Sequence, residues 1–243
     1  MRTRCAACWL KTLEIGALYS APEWVSRVIL GVKSFNSLRK GVLALFPAKA
    51  PRESGRFGLR AGILIMENSP KLWTIGHSTL AIEDFIAALS SFDIGTVVDV
   101  RSFPGSRRYP QFNKENLRAS LAGARVEYLH FSELGGRRRA KPDSLNMAWR
   151  NEMFRGYADY METNDFREGV ARLMKVADAR RTAIMCAEAV WWRCHRSLIS
   201  DYLKAEGIEV THIMGIAKSE SHPFTPAARI VDGRLSYRGI LDS

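Results

Sequence analysis

Two thiols, an imidazole, a carboxylate and two guanidiniums fall in one stretch of this chain: Cys186, Glu188, Arg193, Cys194, His195 and Arg196. A short apolar run, Thr182 to Met185, leads into Cys186, and Cys194-His195-Arg196 opens a helix expected to continue through Lys204. The chemistry therefore sits where a strand gives way to a helix. Ligands of α/β proteins bind beside the carboxyl ends of strands, and helix N-termini stabilise anions and thiolates.

Each residue has a chemical and a structural role to weigh. Cys186 ends an apolar strand, so it is either a small buried hydrophobe or a nucleophile or metal ligand at the sheet edge. Cys194 and His195 share a helical stripe with Trp191, Leu198, Ile199, Tyr202 and Leu203, which fits packing on the sheet. A Cys in a first turn, beside Arg193, Arg196 or a protonated His195, would also have a lowered pKa. Glu188 can serve as general acid/base or pair with Arg193 or Arg196. Arg196 can hold an anion through its planar fork or form an ordinary surface ion pair.

Three further strand ends carry polar groups. Asp99 and Arg101 flank Val100, and alternation sends both to one face. Arg101 leads into a loop with Ser106, Arg107, Arg108, Tyr109 and Phe112. Guanidiniums and aromatic faces suit a phosphate, a nucleobase or single-stranded nucleic acid. His77-Ser78 follows the first strand, with His77 the better ligand or base. Val126 to Leu129 reads as a strand that ends in His130. His212 and His222 show no companions, and Arg137 to Arg139 reads as a solvated charge run.

The elements that position these groups alternate. Strands are expected at Leu72–Ile75, Thr96–Val100, Val126–Leu129, Thr182–Met185 and Glu209–Ile213. Helices are expected after Thr79, read as an N-cap, around Glu115–Ala122, over Trp149–Met161 and Phe166–Ala177, and after Arg193. Asp232-Gly233 signals a C-terminal hairpin. This order predicts an α/β fold: a mainly parallel sheet with helices on both faces, Rossmann-like and three-layered, closed by a short hairpin.

Composition narrows the setting. Of the net charge of +11, residues 1–65 carry +8, so basicity is a weak argument for nucleic-acid binding by the rest. Residues 1–65 are acid-poor and broken by Pro22, Pro47 and Pro51. A membrane-surface or targeting segment, a small helical accessory and an upstream extension compete there. The extension is favoured, with Met66 opening a domain over residues 66–243. Cys5 and Cys8 have the spacing of a metal or redox pair, but no second pair at finger spacing joins them. Four cysteines make no disulfide scaffold, and a reducing, cytoplasmic setting is expected. No apolar run approaches the length of a membrane span.

Taken as a set, Trp73-Thr74-Ile75-Gly76-His77-Ser78, Val97-Val98-Asp99-Val100-Arg101 with the following Pro-Gly-Ser-Arg-Arg-Tyr-Pro-Gln-Phe, Glu133-Leu134-Gly135-Gly136, and Met185-Cys186-Ala187-Glu188 with Cys194-His195-Arg196 resemble the domain-of-unknown-function family 488. The resemblance covers Leu72 to Ile213. It implies a compact α/β domain whose characteristic residues gather in the strand-end loops, and it assigns no activity. A weaker likeness to rhodanese or Cys-phosphatase arrangements stops at the loop Ala187–Trp192, which lacks glycine and contains Glu188 and two tryptophans. Such a loop makes a poor phosphate nest.

The expectation is an enzyme acting on a small anionic molecule, with a nucleotide or nucleic-acid-derived substrate as the favoured class. Cys186 is the nucleophile, His195 or His77 the base, and Glu188 a further catalytic group. Asp99, Arg101, Arg108, Tyr109 and Arg196 bind substrate. A second expectation is a zinc or iron site from Cys186, Cys194 and His195, joined by His77, with Glu188 activating water. A third is nucleic-acid binding without catalysis through residues 101–112 and 137–139. No cofactor identity or oligomeric state follows from the sequence.

Overall fold

The computed structural model describes residues 71–239. The expectations for residues 1–65, for Met66 and for the Cys5–Cys8 pair lie outside the described residues.

Six strands form one sheet in the order β3-β2-β4-β1-β5-β6. They are β1 (Lys71–Gly76), β2 (Thr96–Asp99), β3 (Glu127–His130), β4 (Thr182–Cys186), β5 (Glu209–Gly215) and β6 (Lys218–Ser221). All pairings are parallel except β5 with β6. The helices are α1 (Ile82–Ser90), α2 (Lys114–Gly123), α3 (Glu152–Met161), α4 (Asn164–Ala179) and α5 (Arg196–Ala205), and β7 (Arg229–Val231) with β8 (Arg234–Ser236) makes the expected hairpin.

Strands β1, β2 and β4 are short and nearly all buried, as strands covered on both faces must be. One face presents Trp73, Ile75, Val97, Ala183, Met185 and Ile213 to α1 and α2 through Phe85, Leu89, Leu117 and Leu121. Alternation turns Thr74 and His212 to the other face, where the Arg196 side chain of α5 meets Thr74. Burial of those aliphatic side chains stabilises the domain by roughly 1.5–3 kcal/mol each.

Among the differences from the sequence reading are two helix starts and one unannounced strand. Thr79 does not cap α1: Ser78 takes a φ of 44°, Leu80 N–H closes a turn onto the His77 carbonyl, and the helix starts after Ala81. Helix α3 starts at Glu152 because Asn151 caps it, accepting from the Met153 and Phe154 amides. The polar strand β6, exposed throughout, had no hydrophobic pattern to announce it. No helix of the described residues is long and apolar enough to cross a membrane.

Candidate functional site

Strand order explains why the chemistry converges. β2, β4 and β1 are neighbours, so their carboxyl ends set Asp99 and Arg101, Cys186, and His77 side by side. The loop after β4 then returns through the turn Trp191–Arg193 to bring Cys194 and His195 over the same edge. A cavity of about 560 Å³ opens there, walled by His77, Arg101, Tyr109, Glu188 and Arg193 and floored by Cys186, Cys194 and His195.

At the floor, His195 Nδ1 lies 3.5 Å from Cys194 Sγ and 3.9 Å from Cys186 Sγ. These three atoms lie within 4.8 Å of one another, and both cysteines are free thiols. His195 Nε2 donates to the Val100 carbonyl at 3.1 Å, which assigns the proton to Nε2 and leaves the Nδ1 lone pair facing the sulfurs. Gly136 makes this possible: a Cβ there would overlap the imidazole, coming within 2.5 Å of Cγ.

The two thiols ionise in opposite senses. Burial would raise Cys194, yet the hydrogen bond from Cys186, the neighbouring His195 and the Arg196 guanidinium outweigh it and hold the thiol well below its ordinary range. Cys186 is pushed well above that range by its hydrogen bond to Cys194, by burial and by the Cys194 charge. The thiol held low is the buried one, only 4% exposed, whereas Cys186 is partly exposed.

Arg196 is buried and committed to the protein. Its Nη2 donates to the Glu188 carbonyl at 2.5 Å, its Nη1 to Thr74 Oγ1 at 3.3 Å, and its Nε to Cys194 Sγ at 3.5 Å. Gly76 admits this packing, since a Cβ there would collide with the Glu188 carbonyl and sit 2.8 Å from the guanidinium. The Glu188 carboxylate is left exposed at the cavity rim. The sequence leaves Glu188 as a general acid/base or as a partner of Arg193 or Arg196; Arg196 bonds its backbone oxygen and not its carboxylate.

Arg101 and Asp99 form the buried ion pair that alternation allows, with Nη2 2.6 Å from Oδ2 and Nε 2.9 Å from Oδ1. Tyr128 donates to the same carboxylate at 2.8 Å. A second Nη2 bond reaches the Phe112 carbonyl, and Nη1 donates to His77 Nε2 at 3.1 Å. One Nη1 hydrogen of Arg101 remains without a partner among the described residues, on a group that lines the cavity. His77 is fixed as a neutral imidazole: Nδ1 donates to the Ser78 carbonyl and the ring stacks 4.1 Å from Phe112. Burial and the Arg101 charge lower it from 6.5 to about 4.

The remaining candidates separate. Tyr109 lines the cavity, whereas Arg108 is exposed beside it, its guanidinium 5.4 Å from the Tyr109 ring centroid. His130 donates to the Arg101 carbonyl at 2.9 Å and so steadies that loop. Arg137 reaches the cavity, but Arg138 is no solvated charge. It donates to the Gly135 and Glu133 carbonyls and lies 3.5 Å over the Tyr160 ring. Sequence reasoning missed Val100, whose contribution is a backbone oxygen, and Asn151, Met153 and Phe154 at the α3 start, which bring no ionisable group to the cavity.

The family model described as Domain of unknown function DUF488 matches residues 81–203, from α1 to the last turns of α5. No curated protein and no solved structure matches the chain. The match takes in half of the chain, with the Asp99–Arg101 pair, Gly136, Cys186, Glu188, Cys194, His195 and Arg196 inside it. The chain belongs to the DUF488 family.

Proposed function

We propose that Cys186, Cys194 and His195 form a three-ligand transition-metal centre, best suited to zinc, in an enzyme acting on an anionic substrate. One observation carries the reading. Tetrahedral zinc, with bonds of about 2.3 Å to sulfur and about 2.0 Å to nitrogen, holds S and N ligands about 3.6 Å apart. The separations of 3.5 and 3.9 Å bracket that value. A histidine ligand ordinarily donates its other N–H to a carbonyl or carboxylate, the relation of His195 to Val100.

Ionisation weighs against simple thiol catalysis. A nucleophilic cysteine needs its thiolate within reach of substrate. Here the thiol held low, Cys194, is the more buried one, and the more exposed Cys186 is pushed up. A bound metal would remove the mismatch, because sulfur ligands are held as thiolates. Three protein ligands would leave a fourth position for water or substrate, the pattern of catalytic rather than structural sites.

A metal held there supplies Lewis-acid chemistry. The chain provides the rest. Glu188 at the rim accepts or delivers a proton, and the spare N–H of Arg101 with the cavity-lining Arg137 and Arg193 draws an anion. The metal-stripped full chain, reconstituted with Zn²⁺ and assayed on phosphate mono- and diesters and on carboxylate-bearing amides, tests this. Metal-dependent turnover that disappears in Glu188→Gln supports it. Metal uptake with no turnover on any of these overturns the enzyme, and no uptake overturns the centre.

A further inference from the structure

Behind the sulfur ligands runs a second set of buried polar groups that the site chemistry leaves unused. Asp201 on α5 is fully buried and accepts from His222 Nε2 at 3.0 Å, Thr225 Oγ1 at 2.6 Å, the Thr225 amide at 2.8 Å and Tyr237 Oη at 2.8 Å. His222 Nδ1 faces His212 Nε2 at 2.9 Å, and His212 Nδ1 faces Thr74 Oγ1 at 2.7 Å. Thr74 Oγ1 in turn accepts from Arg196, whose Nε bonds Cys194 Sγ.

The two ends of this line set its direction of donation. Asp201 can only accept and Arg196 can only donate. With both imidazoles neutral, every hydrogen between them points towards Asp201. His222 and His212 both carry their proton on Nε2, and the Thr74 hydroxyl donates to His212 while accepting from Arg196. Trp191 stacks on His212 at 4.3 Å and holds the ring in register. This orientation satisfies every group on the line, and it ends with an N–H aimed at the Cys194 sulfur.

We infer that Thr74, His212, His222 and Asp201 are positioning residues that aim the Arg196 guanidinium at Cys194 and so set how firmly the Cys186–Cys194–His195 centre holds its metal. The inference rests on the metal reading of that centre. Thiolates bound to a metal are tuned by N–H groups bonded to sulfur, and outer-shell partners contribute about 10–100-fold in affinity. Thr74 is the link that can be cut with least disturbance, because valine has its shape without the hydroxyl. Three of the four residues, Thr74, His212 and His222, lie outside the span matched by the family model. The centre thus depends on the first strand and the C-terminal strands as well as on the matched core.

The test titrates metal-stripped full chain with Co²⁺ and follows the thiolate-to-cobalt charge-transfer band in wild type, Thr74→Val, Thr74→Ser and Thr74→Ala. Thr74→Val and Thr74→Ala are expected to weaken Co²⁺ by about tenfold and to shift the band. Thr74→Ser, which restores the hydroxyl, is expected to match wild type. Equal affinity and an unmoved band in all four overturn the chain's role while leaving the metal centre standing. Loss in Thr74→Ser equal to that in Thr74→Val assigns the effect to packing and also overturns it. A wild type with no charge-transfer band overturns the metal centre itself, and the positioning role with it.

Discussion

His195 Nε2 donates to the carbonyl oxygen of Val100 across 3.1 Å, joining the start of α5 to the end of β2. That bond decides which ring nitrogen faces Cys186 and Cys194. A side chain that cannot make it loses both the nitrogen ligand and its orientation. His195→Ala is therefore expected to reduce metal affinity by more than the roughly 10–100-fold seen for outer-shell partners. Competition against a chromophoric chelator measures it, and a loss below tenfold would remove His195 from the ligand set.

Gly136 is required by the imidazole rather than by its own backbone. In Gly136→Ala the new methyl overlaps the His195 ring, so either the ring leaves the sulfurs or the loop shifts. Overpacking of this kind costs about 1–3 kcal/mol. Urea unfolding of Gly136→Ala should show that loss, with weakened Co²⁺ uptake. Gly105→Ala, where a Cβ meets nothing within 4 Å, should match wild type in both assays. A silent Gly136→Ala would mean that the loop carrying Gly136 does not press on the site.

Asp99 and Arg101 bury a charge pair that holds the cavity wall. Removing one partner strands the other, which typically costs about 3–5 kcal/mol. Asp99→Ala should lower unfolding free energy by that amount, because Arg101 and the Tyr128 hydroxyl both lose their acceptor. A change below about 1 kcal/mol, the range of exposed pairs, would contradict the burial of this pair.

Stability should fall in acid through His212. Burial, then the neighbouring His222 and the Arg196 charge, lower it from 6.5 to about 3. Below pH 6.5 the unfolded chain takes up a proton that the folded protein refuses until about pH 3. The stabilisation from a neutral His212 is complete above pH 6.5 and is lost as pH falls towards 3, by at most about 1.4 kcal/mol per pH unit. Unfolding free energies measured across that window should show the slope, and His212→Gln should flatten it. An unchanged slope in the variant would mean that His212 titrates normally in the fold.

Much of this was legible in the residues. Thr96–Asp99 and Thr182–Cys186 announce themselves because strands buried on both faces must be apolar and β-branched, and an abrupt polar residue at their ends marks the sheet edge. Asp99 and Arg101 could be placed on one face by alternation alone. His212 and His222 could not be joined, because their meeting depends on β6, whose Lys218–Ser221 sequence is polar and exposed. The antiparallel β5–β6 pairing brings His222 beside Val210 and His212, and with Asp201 it completes a network that no local spacing reveals. Arg196 shows the same limit: its partners are a backbone oxygen, a threonine on β1 and a sulfur, and none is readable as a charge pattern.

The central claim is that Cys186, Cys194 and His195 hold a metal. The most direct measurement is elemental analysis of the full chain purified without chelator, set beside Cys194→Ser. The account predicts about one equivalent of zinc, or of iron in its place, in the wild type and a large loss in the variant. Wild-type protein that carries no transition metal, and takes up none when Zn²⁺ is supplied, would contradict it.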